Sequence, residues 1–357
     1  MTAAALHRGA ARRGAIIGFG NVAANGHVPA WRERPDFHIV AVSDPDPERR
    51  ARARALLPGV HTYSDAETLL CTEQLDFVDI AAPPAIHAPL MIAAANAGVH
   101  VLCEKPLTAS MDDYRAVRAA VRRAGIVLHT VHNWKYSDAF RAVQRIIAGG
   151  RLGPLRAITF ETARNGCAAA ATDNWRMRAA VAGGGILVDH GWHAFYLLLA
   201  MANEAPLRIR AVLERRRYID AEVEDSALCT VSFPSLTGEI RLTWAAAERR
   251  TCWRVVGEDG ELLVDDDRLV LRGEGSEHVQ QLPTALSMGS HHPDWFAGVL
   301  DSFRTELDHP AARGANQREA EWCLRLLSLA YASGAQGART LDVSASSGWL
   351  AGEAAPA

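Results

Sequence analysis

Only two lysines, Lys105 and Lys135, stand among 38 basic residues. Arginine serves nearly everywhere else, so the ammonium in "VLCEKPLTAS" (101–110) marks a position where the ability to lose a proton could matter, an ability guanidinium lacks. The alternative is that a few lysines survive any compositional bias. A second set of polar groups stands in "GGGILVDHGWHAFYLLLAM" (183–201), where Asp189 and His193 are four residues apart. On a helix they project from one face about a turn apart. Burying two polar groups in so apolar a helix is costly unless they face a partner or a ligand, or bond to each other in the core. His190 falls on a different face. The chemistry these types can do is proton transfer at a bound oxygen.

"IIGFGNVAANGH" supplies Gly18-x-Gly20-x-x-Ala23, with Asn21 and Val22 in the interval. Glycines so placed permit a tight turn and let backbone N–H groups approach a pyrophosphate at a helix N-terminus; a purely structural turn is the alternative. Asp44, 24 residues after Gly20, is placed to hydrogen-bond adenosine ribose hydroxyls. Its charge would repel a 2′-phosphate, which favours NAD over NADP. Asp44 or Asp46 could instead cap the helix starting at Pro45, and Arg49 and Arg50 keep NADP open. Pro83, Pro84 and His87 follow one apolar run, and Glu104-Lys105-Pro106 closes another. Both lie at the carboxyl edge where doubly wound folds bind ligands. His87 reads equally as a ligand contact or as a solvated or capping group. His291, His292 and Asp294 lack a further ligand at a recognised spacing and read as a surface loop, with no metal expected.

The elements that must position these groups follow two grammars. From Ala15 to His132, continuous apolar runs ("AIIGF", "HIVAVSD", "DFVDIAA", "HVLCEK", "IVLHTVH") alternate with amphipathic stretches such as 85–97 and 110–124. Such runs predict strands buried on both faces, a doubly wound parallel α/β sheet. After a helix near 137–149 and the turn "GGRLGP", β-rich runs at 155–164, 207–219, 225–233, 238–246, 251–258, 261–265 and 268–272 predict a mostly antiparallel sheet in an α+β domain. The helix from about Gly185 interrupts them, and helices near 294–308 and 316–333 follow. The expected division is a disordered leader over 1–13, a dinucleotide domain over 14–132, a substrate and oligomerisation domain over 133–345, and a loose tail over 346–357.

A net charge of −3, with arginines interleaved among acids, offers nothing to nucleic acid. Six singly spaced cysteines fit a reducing cytoplasm. The 183–201 stretch carries Asp189, His190 and His193 and is read as a buried helix, not a membrane span.

At Glu104-Lys105-Pro106 the sequence resembles the glucose-fructose oxidoreductase and inositol dehydrogenase family (Gfo/Idh/MocA). "GPLRAITFE", "NWR" (174–176) and "GGGILVDHGWH" extend the resemblance over about 14–345. It implies an NAD(P)-dependent enzyme moving a hydride between nicotinamide and a secondary alcohol of a sugar or cyclitol. It also implies dimers or tetramers built through the second sheet. On this resemblance His193 is the candidate proton acceptor and Lys105 the positioned cation or relay. Asp189 would orient the substrate or polarise His193, and Lys135, Asn174, Trp175 and Arg176 would line the substrate pocket. Pro84 stands where the family usually has asparagine. Transient oxidation that permits elimination, hydrolysis or epimerisation, and a non-catalytic sensor on the same scaffold, are the rival readings.

Overall fold

The computed structural model describes residues 11–167, 174–273, 275–289 and 291–343. In chain order the strands are β1 (Arg12–Ile17), β2 (Phe37–Ser43), β3 (His61–Tyr63), β4 (Phe77–Ile80), β5 (His100–Cys103), β6 (Leu128–Thr130), β7 (Leu155–Ala163), β8 (Arg208–Glu214), β9 (Ser226–Ser232), β10 (Thr237–Thr243), β11 (Arg250–Gly257), β12 (Gly260–Asp265), β13 (Arg268–Gly273), β14 (Ser276–Gln281) and β15 (Leu341–Asp342). The α-helices are α1 (Val28–Arg32), α2 (Pro47–Leu56), α3 (Ala66–Thr72), α4 (His87–Asn96), α5 (Met111–Ala124), α6 (Asp138–Ala148), α7 (Ala179–Ala182), α8 (Trp192–Ala202), α9 (Pro293–Asp308) and α10 (Ala315–Ala335).

The chain forms two compact units, and their division is not purely sequential. The first unit runs to Glu104 and adds 115–131 and 291–314; the second holds 105–114, 132–290 and the rest. Helix α9 therefore returns to the first unit instead of belonging with the second, as a cut at 132 had implied. The reason is its aromatic face: Phe303 packs edge-on to Phe77 at 5.9 Å, and Phe296 meets Trp31 at 6.1 Å, so burial of aromatic surface outweighs distance along the chain. Strand β1 starts at Arg12, so the expected leader is too long by two residues at least. Residues 1–10, the tail 346–357 and loop positions 168–173 lie outside the described residues.

In the first unit six parallel strands lie in the order β3-β2-β1-β4-β5-β6. Order reverses between β1 and β4, the point where such sheets open at their carboxyl edge. Burial of β4 on both faces accounts for its unbroken apolar run. Strand β3, short and polar at the sheet edge, has no apolar run to announce it.

The second unit is a nine-stranded sheet, β14-β13-β12-β11-β7-β10-β9-β8-β15, antiparallel except for β7 beside β10. Helix α8 lies against it so closely that a Cβ on Gly238 would sit 2.5 Å from Leu198. The run "EIRLTWAAA" turns its apolar side chains inward: Ile240, Leu242 and Trp244 are buried, while Arg241 alternates to the other face. That face carries cross-strand ion pairs, among them Arg254–Glu261 at 2.7 Å and Arg250–Asp265 at 2.8 Å. The apolarity of the run belongs to the core.

Candidate functional site

In the first unit the glycine turn sits at the switch point. Gly18 has φ +88°, and a Cβ there would press within 2.9 Å of the Ala81 carbonyl, so the turn after β1 and its approach to the end of β4 require glycine. Gly20 is different. A Cβ on it would meet nothing within 4 Å, so packing of the chain asks for no glycine at 20. The open space over its backbone leaves room for a phosphate, and this is where the residues present fit a dinucleotide. Asn21 is exposed, Val22 half-buried, and buried Ala23 opens a stretch of wide helical turns, Ala23–His27, before α1. We expect Gly20→Ala to leave the melting temperature without nucleotide unchanged, within about 0.5 kcal/mol in stability, and to weaken NAD binding about tenfold by calorimetry. A stability loss with unchanged affinity would make Gly20 a folding residue.

Asp44 is buried, and its carboxylate accepts the N–H of Phe19 at 2.7 Å and of Asp46 at 2.9 Å. It thereby ties the glycine turn to the end of β2. The helix cap is Asp46, whose side chain accepts the Glu48 N–H at 2.8 Å. Arg50 donates to the carbonyls of Asp44 and Pro45, and Arg49 lies 3.6 Å from Asp44. Half-buried Pro83 precedes a short turn at Pro84–Ile86 that leads into α4. His87 is buried, with Nε2 2.8 Å from the Ala82 carbonyl, so it holds the loop after β4 in place.

Sequence reading missed a buried charged group beneath this edge. His27 Nδ1 lies 2.9 Å from Asp79, its Nε2 lies 3.1 Å from Glu104, and its ring stacks on Phe296 at 3.8 Å. Trp31 donates to Asp79 at 2.8 Å. An aspartate inside the apolar run "DFVDIAA" was the available signal. Burial opposes a charge on His27, but Asp79 and then Glu104 outweigh it and raise its pKa to about 9. A folded pKa above the ordinary 6.5 stabilises the fold fully below that pH, and the contribution is lost as pH rises through about 9. In urea unfolding, the stability gap between wild type and His27→Gln is expected to shrink across this window. A gap that widens with pH would contradict the charged assignment.

In the second unit, Lys105 is joined to Pro106 by a cis peptide bond. Its Nζ donates to the backbone carbonyl of Asp189 at 2.6 Å and to its carboxylate at 3.1 Å. Burial opposes the Asp189 charge, but Lys105, then His190 and Arg176, hold its carboxyl well below the usual range. Asp189 and His193 do not bond to each other, contrary to the expected polarising contact. Wide helical turns over Leu187–Gly191 separate them, and such turns re-aim side chains that a regular helix would align. His193 Nδ1 instead meets the Tyr196 hydroxyl at 2.8 Å, and its ring stacks on Trp134 at 5.2 Å. Burial, Lys105 and His190 lower its pKa well below 6.5, so it is neutral at pH 7. His190, set aside on sequence grounds, brings Nδ1 to 3.3 Å from Asp189 without hydrogen-bond alignment.

The entry to this helix explains the glycine triplet. The buried Glu224 carboxylate accepts the N–H groups of Gly185 at 3.0 Å and Leu187 at 3.0 Å and the Tyr331 hydroxyl at 2.8 Å. It satisfies helix-start donors from the loop that precedes β9. Gly183 turns the chain with φ +81°. A Cβ on Gly184 would fall 1.9 Å from the Tyr331 oxygen and one on Gly185 1.8 Å from the Glu224 carbonyl.

Lys135 Nζ pairs with Glu319 of α10 at 2.7 Å, and His132 holds the same carboxylate at 2.6 Å. Half-buried Asn174 accepts the Arg176 N–H at 3.2 Å, and the Arg176 guanidinium lies over the Trp175 ring at 4.4 Å. Arg176 remains within electrostatic reach of Asp189, so "NWR" does adjoin the cluster. Among the described residues no group of three or more His, Cys, Asp or Glu side chains could hold a metal, and no helix is long and apolar enough to cross a membrane.

A parallel nucleotide-type unit followed by an α+β unit that carries titratable groups is the build of a class of dinucleotide-dependent oxidoreductases. The chain belongs to the GFO/IDH/MocA family: residues 12–132 match its NAD-binding Rossmann-fold oxidoreductase domain and 140–263 its C-terminal domain. It is 31% identical over 70% of its length, and 71% of the other, to dTDP-3,4-didehydro-2,6-dideoxy-alpha-D-glucose 3-reductase of Streptomyces violaceoruber. It is 40% identical to D-apiose dehydrogenase of Paraburkholderia graminis, a match that spans 40% of this chain and only 37% of that protein. In fold it is similar to an inositol dehydrogenase homolog of Azotobacter vinelandii crystallised with NAD+, at TM-score 0.80 and 21% identity over 94% of this chain and 98% of that one.

Proposed function

We propose that the protein is an NAD-dependent oxidoreductase acting on a secondary alcohol or ketone of a sugar, cyclitol or phosphorylated derivative. The observation that carries this reading is the Lys105–Asp189 ion pair, which holds one of only two lysines beside the helix of neutral His193. When bound, the dinucleotide supplies or accepts the hydride. Gly18, Gly20, Asn21, Val22 and Ala23 would cradle its phosphates, with Asp44, Pro83, His87 and Glu104 shaping the rest of that edge. The buried Asp44 charge supports NAD over NADP. Lys105 is the cation that stabilises an alkoxide and, in the reducing direction, can give it a proton. Asp189, ionised, keeps the ammonium in place. Trp175 suits a sugar face and Arg176 an anionic substituent, and the sugar names of relatives agree with this class. The cysteine pattern supports a cytoplasmic setting, and association through the charged face of the second sheet is the oligomeric form we propose.

The test is a panel of sugars, cyclitols and their phosphates offered with NAD and with NADP, followed by the absorbance of reduced nicotinamide. Turnover on at least one polyol, faster with NAD, is expected. Tight NAD binding with no substrate turned over would make the protein a sensor.

A further inference from the structure

Strand β14 (Ser276–Gln281) closes one end of the nine-stranded sheet, and among the described residues nothing pairs with its free side. All six of its residues are exposed, Val279 at 45%. Sheets normally guard such an edge with proline, lysine, a bulge or a very short strand. "SEHVQQ" has none of these: its register against β13 is unbroken, and its one carboxylate, Glu277, is already held by Arg272 at 2.7 Å. The opposite edge ends in β15, only two residues long.

The strand register shows what this edge accepts. On the sheet face away from α8, Leu263, Val270 and Val279 stand in one row across β12, β13 and β14. Polar pairs flank the row, Arg272 with Glu277 on one side and Arg268 with Gln281 on the other. An apolar stripe therefore runs out to the edge between two polar ones.

We propose that β14 pairs antiparallel with β14 of a second copy about a two-fold axis, Val279 facing the partner's Val279, so that the two sheets become one. A two-fold interface must be self-complementary, and this register is. The apolar row becomes continuous through the joint. Glu277 falls opposite the partner's Gln281, a neutral amide that separates it from the partner's Arg268, so no like charges meet. A shift by one residue would set the outer face of one copy against the inner face of the other. A shift by two sets Val279 against the partner's Glu277 or the partner's Gln281 and breaks the row. The interface asks nothing of the proposed chemistry and adds to the association through the charged face.

Val279→Cys reads the pairing directly. Facing residues of antiparallel strands have Cβ atoms about 5 Å apart, which a small shift brings within disulfide reach. In the full chain with exposed Cys71 changed to serine, mild oxidation is expected to convert Val279→Cys to a covalent dimer. The Cys71→Ser parent and Glu277→Cys are expected to give none, since residue 277 lies about 14 Å along the strand from the partner's Glu277. By sedimentation equilibrium, Val279→Lys is expected to halve the mass of the assembly, its dissociation constant raised about a hundredfold by two ammonium groups meeting on the axis. Its Tm as a separate chain should not fall, because the site is exposed. A wild-type chain that stays monomeric, a Val279→Cys chain that does not cross-link, or a Val279→Lys chain of wild-type mass each overturns the proposal. An edge reserved for a strand of a different protein would give the first of these results. None of the readouts needs substrate or nucleotide.

Discussion

Lys105→Ala is expected to lower turnover by about 10² to 10⁴, the usual range for removing a group that moves a proton in the transition state. Two observations set this expectation. The ammonium is largely buried, at 15% side-chain exposure, and it is fixed by two contacts to a single residue, Asp189. Deleting it leaves the Asp189 carboxylate with His190, Arg176 and Arg164 among its cationic or polar neighbours. Affinity for NAD should change little, because the glycine turn and Asp44 belong to the first unit and are tied to each other by the Phe19–Asp44 hydrogen bond. Turnover comes from stopped-time product assays and affinity from calorimetry on the same preparation. Lys105→Arg is expected to keep the ion pair and still lose most activity, since guanidinium does not give up a proton. Wild-type turnover in the alanine variant would remove Lys105 from the chemistry.

The second large effect is on stability. Glu224→Ala leaves two backbone N–H groups and the Tyr331 hydroxyl without their acceptor. Each buried orphan costs about 1–3 kcal/mol; water entering the space recovers part, so about 3–5 kcal/mol is expected in total. For a unit of this size that is roughly a 10 °C fall in Tm. Activity should fall with it, because the orphaned donors begin the helix that carries Asp189 and His193. Glu224→Gln separates charge from hydrogen bonding. Glu224 Oε1 receives Gly185, Leu187 and Tyr331, and Oε2 adds only a second contact to the same Gly185 N–H at 3.1 Å, so the amide oxygen can keep all three bonds, and a loss below about 1.5 kcal/mol is expected. Equal losses in the two variants would show that the charge, not the acceptor, holds the helix start.

Much of this was legible before the structure because burial writes itself into local pattern. Strands β1, β2, β4 and β5 announce themselves as apolar runs, and the glycine turn lies where β1 ends. What was not legible depends on partners far along the chain. Strands β3 and β14 are polar edges with no core face to mark them. Asp79 and Glu104 reach His27 only through strand pairing, and Glu224 reaches Gly185 from 39 residues away. The wide turns over Leu187–Gly191 leave no mark in spacing, which is why a one-face reading of Asp189 and His193 joined two groups that have different partners. Tyr196 was within reach, three residues from His193 on the same helical face. The partner of Lys135 was hidden for the same long-range reason: Glu319 sits in α10.

The central claim is net hydride transfer from a sugar or cyclitol hydroxyl. It is tested most directly by counting, in one reaction with the best substrate of the panel, molecules of reduced nicotinamide formed against molecules of substrate consumed. The account predicts one for one, with the matching ketone as product. Substrate consumed without reduced nicotinamide accumulating would mean that the oxidation is transient and the net reaction is something else.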